Sequence, residues 1–171
     1  YKAYLQSDGT NNPILEWVNI SYDASNPNLD IKTTGIANDD TNLYVMMEVN
    51  GSIDYTDASQ YYRLFISTNS TTGSDTTPDT ATALPFKYDY MIESYNETTS
   101  KIYNSTDDNI ENTTSANNTN SMEISINMTT IGITTGDKIN ITFETGTTDQ
   151  RYDIAPAYRS FINYNITSAG E

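Results

Sequence analysis

The chain has 171 residues, with 8 Lys and Arg against 23 Asp and Glu, a formal charge of −15, and no Cys or His. That balance argues against nucleic acid and anionic membranes as partners, because phosphate binding needs clusters of Lys and Arg. Without Cys or His, disulfides, zinc and blue-copper sites, thiol nucleophiles, Ser-His-Asp triads and His-ligated haem are excluded.

Period-two alternation recurs along the chain and helical periodicity is nearly absent. Residues 1–6 set Tyr1, Ala3 and Leu5 against Lys2, Tyr4 and Gln6. They are expected to form an edge strand that either pairs within its own sheet or is donated to a second copy. Weaker strand patterns cover 16–22 and 30–37. The clearest covers 42–50, with Leu43, Val45, Met47 and Val49 on one face. Further runs are 61–67, 87–95, 100–104, 121–128, 138–144 and 160–167, rich in the Thr, Tyr, Ile and Val that strands favour. Turn chemistry separates them at Asp8-Gly9, Asn38-Asp39-Asp40, Asn50-Gly51 and Thr135-Gly136-Asp137.

About ten short strands at this spacing predict an all-β, two-sheet antiparallel β-sandwich of the jelly-roll kind, in one domain spanning 1–171. Two segments, 69–85 and 104–120, are polar, rich in Ser and Thr, and predicted to be long exposed loops. No apolar run is long enough to cross a bilayer as a helix. A start at Tyr1 rather than Met, with no signal peptide, is expected of a processed form.

Ten Asn-X-Ser/Thr sequons are present, at Asn19, Asn50, Asn69, Asn96, Asn104, Asn112, Asn117, Asn127, Asn140 and Asn165. With 20 Asn and 43 Ser and Thr, composition alone gives about five. The twofold excess points to covalent N-glycans and to an extracellular or cell-surface location. Strand parity sharpens this. Asn127 alternates with Met122, Ile124, Ile126 and Met128, Asn140 with Ile139, Ile141 and Phe143, and Asn165 with Ile162 and Ile166. Asn50 also lies opposite its apolar row, so four sequons are expected on solvent-facing sheet faces.

The order of segments resembles the family 9 carbohydrate-binding module and DOMON-like β-sandwich domains. The residues that carry the likeness are Asp8-Gly9 with Glu16-Trp17, then Asn38-Asp39-Asp40 with Leu43-Tyr44-Val45, and Asp89-Tyr90-Met91-Ile92-Glu93. After these come Met122-Glu123-Ile124-Ser125-Ile126, Ile131-Gly132-Ile133, Gly136-Asp137 and Asp153-Ile154-Ala155-Pro156. The resemblance implies a two-sheet sandwich. Sugar-binding members clasp glycans between aromatic side chains, commonly Trp; here Trp17 stands alone and falls in the packing motif. Haem-binding members use Met and His, and His is absent. Richness in Asn, Ser, Thr and Tyr, with dense sequons, is also similar to archaeal envelope proteins.

Acidic loops favour hard cations, which makes calcium the metal to expect if any is held. The candidate ligands are Asp75, Asp79, Asp149 and Asp153, and the resemblance adds weight because related sandwiches often hold structural calcium. Glu16, Glu48, Glu93 and Glu123 read as solvated strand residues rather than a glycosidase pair, and no catalytic residue is assigned. The expectation is a structural, non-enzymatic subunit that polymerises with itself, with residues 1–6 exchanged between copies. The alternative is a module that binds polysaccharide.

Overall fold

The computed structural model describes residues 2–7, 13–18, 25–68, 73–78, 83–156 and 160–168, the first two by their backbone alone. The strands are β1 Lys2–Ser7, β2 Pro13–Val18, β3 Ile31–Asn38, β4 Asn42–Val49, β5 Gln60–Ser67, β6 Ser74–Thr76 and β7 Ala83–Tyr88. They continue with β8 Tyr90–Ser94, β9 Thr99–Asn104, β10 Asn109–Asn117, β11 Ser121–Asn127, β12 Lys138–Thr147, β13 Gln150–Ala155 and β14 Ile162–Asn165. One 3₁₀ turn, Pro27–Leu29, is the sole departure from extended structure in that series.

Alternation does what it predicts in the clearest strands. In β4, Leu43, Val45, Met47 and Val49 are buried, and in β11 Met122, Ile124 and Ile126 are buried while Glu123 and Asn127 are exposed. Local chemistry turns the chain between them and their neighbours. Asp39 Oδ1 accepts the amides of Thr41 and Asn42, both at 2.7 Å, which closes the β3–β4 hairpin.

All pairings are antiparallel, and twelve strands join in one sheet with the order β1-β2-β3-β4-β11-β10-β9-β8-β5-β12-β13, β14 also pairing with β12. A separate two-stranded sheet is formed by β6 and β7. The hydrogen-bonded path is thus one curled sheet nearly closed into a barrel, where two separate large sheets were expected. The reason lies in β10, which pairs with β9 up to Thr114 and with β11 from Thr114 on and so joins one half to the other.

The barrel stops short of closing by a ladder, and side chains bridge the seam instead. On the free edge of β12, β13 pairs with Phe143–Thr147 and β14 with Lys138–Ile141, end to end. Across the seam, β2 pairs with β3 only over Thr33–Ile36, so both ends of β3 reach the far edge. At one end the Ile31 amide donates to Asp153 Oδ2 at 2.8 Å. Beside it, the Thr145 hydroxyl donates to the Leu29 carbonyl. At the other end, Asn38 Nδ2 donates to the Thr167 carbonyl at 2.7 Å and Asn38 Oδ1 accepts the Tyr164 hydroxyl at 3.0 Å.

The interior is one apolar cluster that includes Leu43, Val45, Met47, Leu64, Ile66, Ile124, Ile141 and Phe143. A second, smaller core sits on the other face of β5. It comprises Phe65, Leu84, Tyr88, Met91 and Ile154, with the β6–β7 hairpin as its cover. Strand β5 is therefore buried on both faces, and the Phe65 and Tyr88 rings lie 4.9 Å apart.

Both segments predicted to be loops contain strands. Segment 69–85 holds β6 and the start of β7, and segment 104–120 holds the nine residues of β10. None of the side chains of β10 is buried. Its backbone is fixed by pairing with β9 on one side and β11 on the other, so the strand leaves no period-two trace in the sequence.

Candidate glycan-bearing surface

None of the eight described sequon asparagines is buried. Asn50, Asn112, Asn127 and Asn165 are exposed, and Asn96, Asn104, Asn117 and Asn140 are half-buried. Asn19 and Asn69 lie outside the described residues. The acceptors are spread along the curled sheet: Asn50 follows β4, Asn96 lies in the β8–β9 turn, Asn112 and Asn117 are in β10, and Asn165 ends β14. Asn104 and Asn127 end β9 and β11, and Asn140 sits inside β12 between Ser67 of β5 and Asn163 of β14.

Three of them share one local geometry. Asn96 Oδ1 accepts the Thr98 amide at 3.0 Å and the Thr98 hydroxyl at 3.3 Å. Asn104 Oδ1 accepts the Thr106 amide at 3.0 Å and its hydroxyl at 2.8 Å. Asn127 Oδ1 accepts the Thr129 amide at 2.9 Å and its hydroxyl at 2.7 Å. In each case the strand has just ended, so the main chain can fold the residue two positions on back toward the Asn side chain.

The residues expected to bind calcium are not gathered. Among the described residues no group of three or more Asp, Glu, His or Cys side chains is placed to hold a metal ion. Asp75 is exposed in β6, Asp149 is exposed in the β12–β13 turn, and Asp79 lies outside the described residues. Asp153 is buried, and its two oxygens accept the Ile31 and Ile154 amides, each at 2.8 Å. The sequence offered Asp153 as a calcium ligand; in the structure its carboxylate is a clamp across the seam of the barrel.

Of the expected assembly residues, Tyr1 lies outside the described residues, while Ala3 and Leu5 fall in β1. There they stand in register with Trp17 and Leu15 of β2, so the strand pairs within its own chain. β1 heads the strand order, and no described strand pairs with its other edge.

A charged row on β12, β5, β8 and β9, buried at Glu144 and Arg63 and half-buried at Glu93 and Lys101, escaped the sequence reading. Glu144, Arg63, Glu93 and Lys101 stand side by side in register, with signs alternating. Arg63 Nε donates to Glu93 Oε2, and Arg151 Nε donates to Glu144 Oε2. The Tyr61 hydroxyl donates to Glu144 Oε1 at 3.1 Å, and the Arg63 guanidinium lies 4.0 Å above the Tyr61 ring. Burial raises the Glu144 pKa, with Arg151 and Tyr61 pulling the other way, and burial beside Glu144 raises that of the Tyr61 phenol. Arg63–Glu93 and Arg151–Glu144 are cross-strand ion pairs, while the Lys101 ammonium lies 3.5 Å above the Tyr95 ring. Parity alone could have placed Glu144 opposite Ile141 and Phe143, but not shown that its face is covered.

The outer face of β3, β4, β11 and β10 carries a groove of about 500 Å³. Gly35, Ala37 and Ala116 keep it open, and Tyr44, Met46 and Glu123 line it. The Tyr44 hydroxyl donates to Asp39 Oδ2 at 2.7 Å, which fixes the ring. Among the described residues no helix is long and apolar enough to cross a membrane. No protein-family model matches the chain, and comparison with curated proteins and with solved structures gives no match.

Proposed function

We propose that this chain is a non-catalytic, N-glycosylated building block of an extracellular filament or cell-envelope layer, of the archaeal type. The observation that carries the reading is the placing of the sequons: eight described acceptors, none buried, spread over the curled sheet and its turns. Glycans on so many faces leave edges as the surfaces for contact between copies. β1 is the edge for that contact, because its outer side offers main-chain donors and acceptors to a strand from a neighbour. In this reading the two halves of the sheet act as the layers of a sandwich, and exchange of residues 1–6 links one subunit to the next.

The test is sedimentation and electron microscopy of native material, beside a variant lacking residues 1–6. Long polymers from the full chain, and folded monomers from the variant, are expected. A full chain that stays monomeric at high concentration, or a variant that polymerises equally well, would sink the proposal.

One observation favours a second reading, a polysaccharide-binding module. The groove holds an exposed, anchored Tyr44 with Glu123, Ser115 and Ser125 near it, and a ring of that kind stacks on sugars. Retention on immobilised polysaccharide that is lost in Tyr44→Ala separates this reading from the first.

A further inference from the structure

We infer that Asn96, Asn104 and Asn127 are the sequons at which the folded chain accepts a glycan, and that the other five described sequons accept one only before the sheet forms. The inference rests on the glycoprotein reading and adds an order of events to it.

The chemistry sets the requirement. A carboxamide nitrogen is a poor nucleophile because its lone pair is delocalised into the carbonyl. To attack a sugar it must lose a proton, and negative charge then gathers on Oδ1. Donors already aimed at Oδ1 stabilise that charge without reorganisation, as an oxyanion hole does. At Asn96 and Asn127 two such donors are in place, the amide and the hydroxyl of the residue two positions on, and at Asn104 they are the Thr106 and Asp108 amides, with the Thr106 hydroxyl shared between Asn104 Oδ1 and Asp108 Oδ2. The co-reactants are a glycosyl diphosphate donor and a transferase. Asn Nδ2 bonds to the anomeric carbon, the bond from that carbon to the diphosphate oxygen breaks, and the electron pair leaves with the diphosphate. The Nδ2 proton goes to a base on the transferase.

The other five are built differently. Asn112 lies in β10 opposite Lys101 of β9, two residues before the pairing with β11 begins at Thr114, and in extended chain its sequon partner Thr114 is about 7 Å along the strand. Asn140 Oδ1 accepts Asn163 Nδ2 at 2.9 Å, while its partner Thr142 is buried and its hydroxyl donates to the Ser160 carbonyl. Asn117 Oδ1 is buried without a hydrogen-bond donor, and the amide of its partner Thr119 is held by Asn118 at 2.7 Å. The Ser52 amide, partner of Asn50, donates to Asn28, and the Thr167 amide, partner of Asn165, donates to Asn38. None of the five carries the paired donors on Oδ1.

An internal control exists. Asp54 Oδ1 accepts the Thr56 amide at 2.8 Å and the Thr56 hydroxyl at 2.6 Å, the same arrangement on a residue that is not an acceptor. Asp54→Asn converts it into a sequon with the geometry already formed.

The experiment uses the full chain made in a host without N-glycosylation. Folded protein, checked by circular dichroism, is incubated with a sequon-specific transferase and its lipid-linked oligosaccharide, and each site is followed by mass spectrometry. A second sample is presented as unfolded peptides. In the folded chain, Asn96, Asn104 and Asn127 are expected to react about a hundredfold faster than Asn50, Asn112, Asn117, Asn140 and Asn165. Asp54→Asn adds a fourth fast site, and in peptides the gap closes. Equal rates across the folded chain, or a folded Asp54→Asn variant left unmodified at that position, overturn the inference. Glycan mapping on native material stands apart from this: ten bare sequons there would defeat the glycoprotein reading, whatever the rates in vitro.

Discussion

Arg151 Nε donates a hydrogen bond to Glu144 Oε2 across the β12–β13 hairpin, and the Glu144 carboxylate is fully buried. Burial outweighs the attraction of Arg151 and raises the Glu144 pKa above its ordinary 4.5. The folded state therefore holds this proton more tightly than the unfolded chain. Its contribution to stability is complete below about pH 4.5 and is lost as pH rises through the folded pKa. Glu144→Gln keeps an acceptor for Arg151 and removes the titration. The melting temperature of the variant relative to wild type is expected to climb as pH rises from 4 towards 7. A difference that does not change with pH would refute the assignment.

Gly146 sits opposite Tyr61 in the β12–β5 ladder. A Cβ there would lie 2.6 Å from the Gln150 carbonyl and would press on the Tyr61 hydroxyl that reaches Glu144. Gly146→Ala is expected to cost about 1–3 kcal/mol in urea unfolding, through overpacking. Tyr61→Phe in the same background removes the clashing oxygen and should recover part of the loss.

Asn38 ties β3 to the β14 side of the seam through Tyr164 and Thr167. Burial pushes the Tyr164 phenol up to about 12. Asn38→Ala strips two or more hydrogen bonds from a buried side chain, at an expected cost of about 2–4 kcal/mol. Amide exchange should accelerate in β14 well before it does in β4 and β11. Uniform acceleration would mean that the seam opens only with the whole barrel.

Asp153 uses its carboxylate on main-chain amides of two strands. Asp153→Ala leaves the buried Ile31 amide without that acceptor, and a loss of about 1–3 kcal/mol is expected. Excess chelator is expected to leave the wild-type melting temperature unchanged. A fall on chelation that calcium restores would show an ion contributing where the clamp is placed.

Much of the inner face was legible in the sequence. Leu43, Val45 and Met47, and Met122, Ile124 and Ile126, alternate because one side of their strands meets the core and the other meets water. Where that contrast fails, so does the reading. Strand β10 has no buried face, so nothing alternates, and β5 is buried on both, so Arg63 and Phe65 look no different from surface residues. The burial of Glu144, and of Asp153, which the sequence offered as a calcium ligand, was not legible for a related cause. Their burial comes from Tyr61 and Ile31, 83 and 122 residues away in the chain, and no local window contains that information. The sequons were visible as a pattern, but not which of them fall where a strand ends and the chain can turn back on the Asn side chain.

Strand β10 has a further consequence, for how such a protein changes over generations. Its backbone is held by β9 up to Thr114 and by β11 from Thr114 on, while none of its nine side chains is buried in a core whose volume it must match. Substitutions along it meet little structural selection, provided they tolerate an extended chain. Asn112 and Asn117 lie on this strip, so sequons can be gained or lost there without disturbing the fold. Divergent relatives should therefore differ most in β10 and least in β5, and the outward chemistry of the molecule can drift while its architecture is inherited unchanged.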